Sequence, residues 1–268
     1  MVIFMPALRI GVQLASLKQS FRKALATAAR LGATGVEIDA RGELRPADLS
    51  QTALREVRRL LEEHSLKVVA VGFRTRRGYD VLDELDRRVA ATKAAMKFAA
   101  DLRAPVVINQ VGRVPAEPNG KSWELLVTSL RDLAAYGQHI GAVLAAQTGS
   151  ESGADLARLI DLLPAQSIAA NLDPGNLIIN GLSPLEAVES LGPRIWHVHA
   201  RDGVRDLARG RGLEVELGRG SADFPGLLGA LENFGYRGYF TVARETIRPD
   251  EAEAEVAQAI EYLKAVAV

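Results

Sequence analysis

The stretch "IWHVHARDGVRD", residues 195 to 206, sets two histidines one residue apart, an aspartate three positions after the second, and an arginine three beyond that. Side chains alternate along a strand, so His197 and His199 share one face about 7 Å apart, and only the outer one need reach the strand's end. In "SIAANLD" the same alternation pairs Asn171 with Asp173, again with the later residue outermost. An imidazole and a carboxylate at neighbouring strand ends can hold a divalent ion such as Mn²⁺, Mg²⁺ or Zn²⁺, although two side chains are fewer than such sites use. The pattern equally fits the polar end of a strand, with His197 hydrogen-bonded inside the protein, because buried polar groups are normally paired.

Both readings need strands, and the chain supplies them at a steady rhythm. Short apolar runs occur at 8–14, 35–39, 67–73, 105–110, 142–147, 167–173, 195–202 and 239–245. Between them, segments such as "SFRKALATAARLG" and "LREVRRLLEEHSL" place apolar residues three and four apart, the mark of amphipathic helices. Gly32 follows the first helix, Ser183-Pro184 opens the sixth and Pro249-Asp250 opens the last. Eight βα units predict an α/β fold, a single (β/α)8 TIM barrel occupying residues 1–268 as one domain. The glycine-rich connection from Gly203 to Ala222 is expected to be a mobile lid or a surface excursion.

Such barrels carry function at the C-terminal ends of their strands. There stand Gln13, Glu37, Asp39, Arg74, Arg76, Arg77, Asn109, Gln110, Gln147, Asp173, Asn176, His199, Asp202, Arg205, Arg244 and Glu245. Of these, Glu37 and Asn109 are expected to bind substrate. "RTRRG" at 74–78 adds positive charge to the mouth, and "GRGS" at 218–221 offers backbone N–H groups to a phosphate.

Composition narrows the partners. Thirty-three basic residues balance thirty-three acidic ones, so no long-range positive field draws the chain to nucleic acid or anionic lipid. Cysteine is absent, which excludes disulfides and thiolate metal sites. No apolar run is long enough to span a membrane, and "MVIFMPA" lacks the features of a secretory signal. A cytoplasmic protein is the expectation.

"LDPGN", "HVHARDG", "LGRGSADFPGLLGAL" and "GYRGYFTVARE", in that order, resemble the sugar phosphate isomerase/epimerase superfamily, the xylose isomerase-like TIM barrels. The resemblance implies a metal held by a glutamate on strand five, an aspartate on six, a histidine on seven and a glutamate on eight. Asp173 and His199 match the middle two. Gln147 falls on the first position, where it is the expected third ligand, and Ala243 falls on the last. In epimerases of the family those two glutamates also exchange the substrate's proton. Glutamine has no proton to exchange near neutral pH, and alanine offers neither function.

Glu245 shares Ala243's face one step nearer the mouth and could supply the missing carboxylate, with His199, as a catalytic group. Alternatively it pairs with Arg201, Arg205 or Arg244. Glu151 could reach over the mouth or simply place charge at a helix N-terminus. The resemblance further implies substrate contacts from Arg205 and Asn176, a small sugar or sugar-phosphate partner and a homodimer.

The expected activity is sugar or sugar-phosphate isomerisation or epimerisation with a weak metal site. The rival is a carbohydrate-binding or partner subunit that has lost the metal chemistry. A three-zinc abasic-site endonuclease is disfavoured by four histidines and zero net charge. A metal-free lyase or dehydratase using His199, oriented by Asp173, completes the set.

Overall fold

A computed structural model describes residues 8–206 and 212–267. All eight expected strands are present: β1 (Arg9–Gln13), β2 (Gly35–Asp39), β3 (Lys67–Gly72), β4 (Val106–Asn109), β5 (Val143–Gln147), β6 (Ile168–Leu172), β7 (Ile195–Ala200) and β10 (Tyr239–Val242). They close into a barrel in the order β1-β10-β7-β6-β5-β4-β3-β2, with every adjoining pair parallel.

Helices return the chain between strands: α1 (Phe21–Arg30), α2 (Gln51–Glu63), α3 (Leu85–Asp101), α4 (Gly120–Ile140), α5 (Gly153–Asp161), α7 (Pro184–Leu191), α8 (Phe224–Asn233) and α9 (Ala252–Val266). Gly32 takes a positive φ of 85° just beyond α1, and Ser183 caps α7 by accepting from Glu186 N at 3.2 Å. A short α6 (Pro174–Ile179), not foreseen in the sequence, starts directly after β6.

Strand alternation sorts the side chains. Val36, Ile38, Leu144, Leu172, Val198 and Phe240 face the helices and join the large apolar core. Small residues on the opposite face, Ala70, Ala145 and Ala169, cluster with Val106 and Ile108 inside the barrel. On six of the strands this inward face ends in polar groups: Gln13, Glu37, Gln147, Asn171, His199 and Thr241. The same parity explains Asn109. Val106 and Ile108 point inward, so Asn109 points outward, donating to Tyr79 Oη at 2.8 Å and accepting from Thr75 Oγ1 at 3.1 Å. It pins the β3–α3 connection instead of facing the mouth.

The connection after β7 is not a bare lid. Asp202–Val204 (β8) pairs antiparallel with Leu213–Val215 (β9), while residues 207–211 lie outside the described residues, as does the opening "MVIFMPA". Buried Asp202 accepts backbone N–H bonds from Gly203, Gly218, Gly220 and Ala222 at 2.8–3.1 Å. "GRGS" therefore wraps an internal carboxylate, and the N–H groups of Gly218 and Gly220 are not free for a phosphate.

Candidate functional site

Glu37, from β2, lies inside the barrel's C-terminal end. Gln13 Nε2 donates to its Oε1 at 2.8 Å, and Ser16 Oγ steadies Gln13 Oε1 at 2.9 Å. On the adjoining strand a Cβ at Gly72 would stand 2.8 Å from Glu37 Oε1, so glycine leaves the carboxylate its room. The other oxygen, Oε2, lies 2.7 Å from His199 Nε2, and both side chains are buried.

His197 sits beneath, its ring edge-on to His199 with centroids 5.2 Å apart. Both its nitrogens are engaged: Nδ1 with Asn171 Oδ1 at 2.8 Å, and Nε2 with Thr241 Oγ1 at 2.9 Å. This is the hydrogen-bonded interior histidine of the plainer sequence reading.

Burial opposes charge on both rings, with opposite outcomes. For His199 it is outweighed by the Glu37 and Asp173 carboxylates, which push the imidazole up to about 9. His197 gives way to burial and to its charged neighbour and falls to about 3. Glu37, despite its own burial, is drawn down to about 2, chiefly by His199.

Asn171 links the two rings, its Nδ2 lying 3.0 Å from His199 Nδ1. That arrangement suits a neutral His199, whose Nδ1 accepts. When Nδ1 is protonated, the amide oxygen must face it. Nδ2 then donates to His197 Nδ1, and His197 turns its own proton to Nε2 and Thr241.

Asp173 closes β6 and caps α6, its Oδ1 accepting from Asn176 N at 2.9 Å. Its Oδ2 accepts from Gln147 Nε2 and Arg201 Nη1, both at 2.7 Å, and lies 3.5 Å from His199 Nδ1. Burial works against the anion, yet Arg201 and His199 hold it well below the usual carboxylate range. Arg201, only 6% exposed, also donates from Nε to Glu214 Oε1 at 3.0 Å, and Glu245 Oε1 stands 3.1 Å from Nη1. Glu214, carried by β9, further pairs with Arg244 at 2.9 Å and accepts from Glu245 N and Thr246 N.

The structure thus brings Glu37, Gln147, Asp173 and His199 into one buried cluster. Glu245 lies at its rim, ion-paired to Arg74 as well as Arg201. Asn176 borders the cluster, its Nδ2 donating to Thr148 O at 2.7 Å. Arg205 is exposed and stands over Gly181. Glu151 is buried beside Ser150, its carboxyl raised to about 7 by burial.

Two members escaped the sequence reading. Arg201 passed for a rim cation, although its parity with His199 puts it on the inward face. Glu214 lies in a connection whose hairpin no local signal announced.

By distance alone, Glu37, His197 and His199 could surround a cation, their ligand atoms lying within 4.8 Å of one another. The donor chemistry does not fit one. Both nitrogens of His197 are spent on hydrogen bonds. In the set expected from the resemblance, Gln147 turns its N–H toward Asp173, and both Asp173 oxygens already have donors. Each carboxylate also has a cation: His199 for Glu37, Arg201 for Asp173, Arg201 and Arg244 for Glu214, and Arg74 for Glu245. A hard divalent ion needs surplus anionic oxygen, and none is left.

Known proteins place this architecture. The chain is 28% identical over 123 residues to an inosose dehydratase of Bacillus thuringiensis (strain Al Hakam), a match covering 41% of this chain and 39% of that relative. It thus aligns with less than half the length of that curated relative. Among solved structures, a xylose isomerase domain protein from Planctomyces limnophilus superposes with a TM-score of 0.86 at 24% identity, covering 97% of this chain and 98% of that one. A D-psicose 3-epimerase from Clostridium cellulolyticum H10 follows the same fold with a TM-score of 0.77 at 15% identity, covering 97% and 99%. The family model described as "Xylose isomerase-like TIM barrel" matches residues 25–266. This chain therefore belongs to the xylose isomerase-like TIM barrel family.

Proposed function

We propose that this chain is a carbohydrate-modifying enzyme of the isomerase or epimerase kind, binding a sugar or sugar phosphate at the C-terminal mouth of its barrel. The observation that carries the reading is the pairing of His199 with Glu37 at 2.7 Å, beside Arg201 on Asp173. A proton-bearing group held by a carboxylate stands next to a guanidinium suited to an oxygen. In this reading Glu245, partly exposed at the rim, is the base that takes the proton from the carbon beside a carbonyl and returns it. His199, already protonated against Glu37, acts as the acid toward the carbonyl oxygen. The relative named as an inosose dehydratase supports a polyhydroxylated substrate.

A cleft of about 530 Å³ at the mouth supports an anionic substituent on that substrate. Arg76, Arg77, Arg113, Gln110, Ser150 and Asn176 help line it, and no carboxylate does. Arg77 is paired with Asp83, whereas Arg76 and Arg113 have no ion-pair partner among the described residues. Two unspent guanidiniums in one cleft suit a phosphate.

Proton NMR in D₂O over a panel of ketoses, keto-cyclitols and their phosphates tests the reading. The expected result is loss of a signal from the carbon beside the carbonyl, abolished by His199→Ala; no exchange with any compound would sink it. One observation favours a non-catalytic carbohydrate-binding subunit: Gln147 and buried Ala243 stand where the resemblance requires proton-exchanging glutamates. Sugar binding by calorimetry without exchange would select that alternative.

A further inference from the structure

We propose that Arg201 provides, from within the chain, the cation around which this mouth is assembled, so that the site works without a divalent ion and offers Arg201 Nη2 to a substrate oxygen. Three carboxylates from separate elements converge on this one guanidinium: Asp173 after β6 at 2.7 Å, Glu214 on β9 at 3.0 Å and Glu245 beyond β10 at 3.1 Å. Carboxylates gathered in this way from distant parts of a chain resemble a metal's coordination shell, with a planar monocation at its centre. The substituted positions fit that centre. Gln147 donates to Asp173 in support of Arg201, and Ala243 adds no further carboxylate to the three that already surround the guanidinium.

Arginine suits the place better than lysine, because its fork reaches two carboxylates at once and stays charged at any working pH. Nε and Nη1 are committed, while Nη2 donates no hydrogen bond among the described residues. Negative charge appears on a carbonyl oxygen as the neighbouring carbon gives up its proton. A donor fixed in position before that moment stabilises it without reorganising. The catalytic half of the inference rests on the carbohydrate reading above; the metal-free half does not.

The test is Mn²⁺ titration of chelator-treated full-length protein, with free Mn²⁺ read by electron paramagnetic resonance. Wild type and Arg201→Lys are expected to leave Mn²⁺ free up to about 1 mM, the weak end of carboxylate sites. The double variant Arg201→Gln/Gln147→Glu removes the guanidinium and restores a strand-five carboxylate. It should take up one Mn²⁺ at least about tenfold more tightly than wild type, and lose it when Asp173→Asn is added.

Wild-type binding tighter than about 0.1 mM, abolished by Asp173→Asn, would overturn the proposal, because the ion would then displace Arg201. So would a cooperatively melting double variant with no gain; if that variant does not fold, the wild-type and Arg201→Lys titrations decide. No sugar is present in these titrations, so their outcome is separate from that of the carbohydrate reading. Deuterium exchange that needs added Mn²⁺ would sink this inference and leave the carbohydrate reading standing.

Discussion

His199 Nε2 lies 2.7 Å from Glu37 Oε2, joining the seventh barrel strand to the second across the interior, with neither side chain open to solvent. A charged pair so enclosed makes the fold sensitive to pH on both sides. His199 is raised from 6.5 to about 9, so its contribution is complete below pH 6.5 and is lost as pH rises through 9. Glu37 is lowered from 4.5 to about 2, so its contribution is present above pH 4.5 and is lost as pH falls through 2. Thermal melts should therefore plateau between those ordinary values and decline steadily toward alkaline pH. A melting temperature that stays level between pH 6 and 9.5 would contradict the pair.

Glu37→Gln removes the charge that keeps the proton on His199. His199 can release that proton, which tempers the penalty, and a loss of about 2–4 kcal/mol in urea unfolding is expected. The alkaline decline in melting temperature should flatten in the same variant. Arg74→Ala, which breaks the more exposed Glu245 pair, should cost less than about 1 kcal/mol. Equal losses in the two variants would show that the buried pair has no special standing.

The Asn171 amide ties the tautomer of His197 to the charge of His199. Nitrogen-15 NMR at pH 7 should find His197 neutral with its proton on Nε2, toward Thr241. Above the His199 transition near 9 the proton should sit on Nδ1, toward Asn171. A His197 tautomer that does not change while His199 titrates would rule out the linkage.

Asp202 organises the connection after β7 through four backbone N–H bonds. Asp202→Ala strands those donors and should cost on the order of 3 kcal/mol, with new protease cleavage between residues 203 and 222. Gly220→Ala should act similarly, because its Cβ would fall 2.1 Å from Asp202 Oδ1. Unchanged proteolysis in both would mean that the hairpin holds itself.

Arg76→Ala/Arg113→Ala empties the mouth cleft of its unpaired cations. Calorimetry with a sugar phosphate that binds wild type should show affinity weakened by roughly tenfold or more, while the unphosphorylated sugar is unaffected. Added salt should weaken the phosphate complex of wild type more than that of the variant. Parallel losses for both ligands would place the phosphate elsewhere.

Much of this molecule was legible before any coordinates. Apolar runs returning at a regular interval pointed to eight strands, because runs this short, separated by amphipathic helical patterns, suit buried parallel strands. Their positions at strand ends placed Glu37, Gln147, Asp173 and His199 at the barrel's C-terminal mouth, and the structure brings those four together. Parity applied to Arg201 and Asn109 would also have sorted them, one inward and one outward. What tertiary structure alone decided is how charge is shared. Glu214 reaches Arg201 only because β9 folds back on β8, a pairing no periodicity announces. Whether Asp173 meets a metal or a guanidinium depends on distances of a few ångströms between residues far apart in the chain, and residue spacing along a sequence carries no record of them.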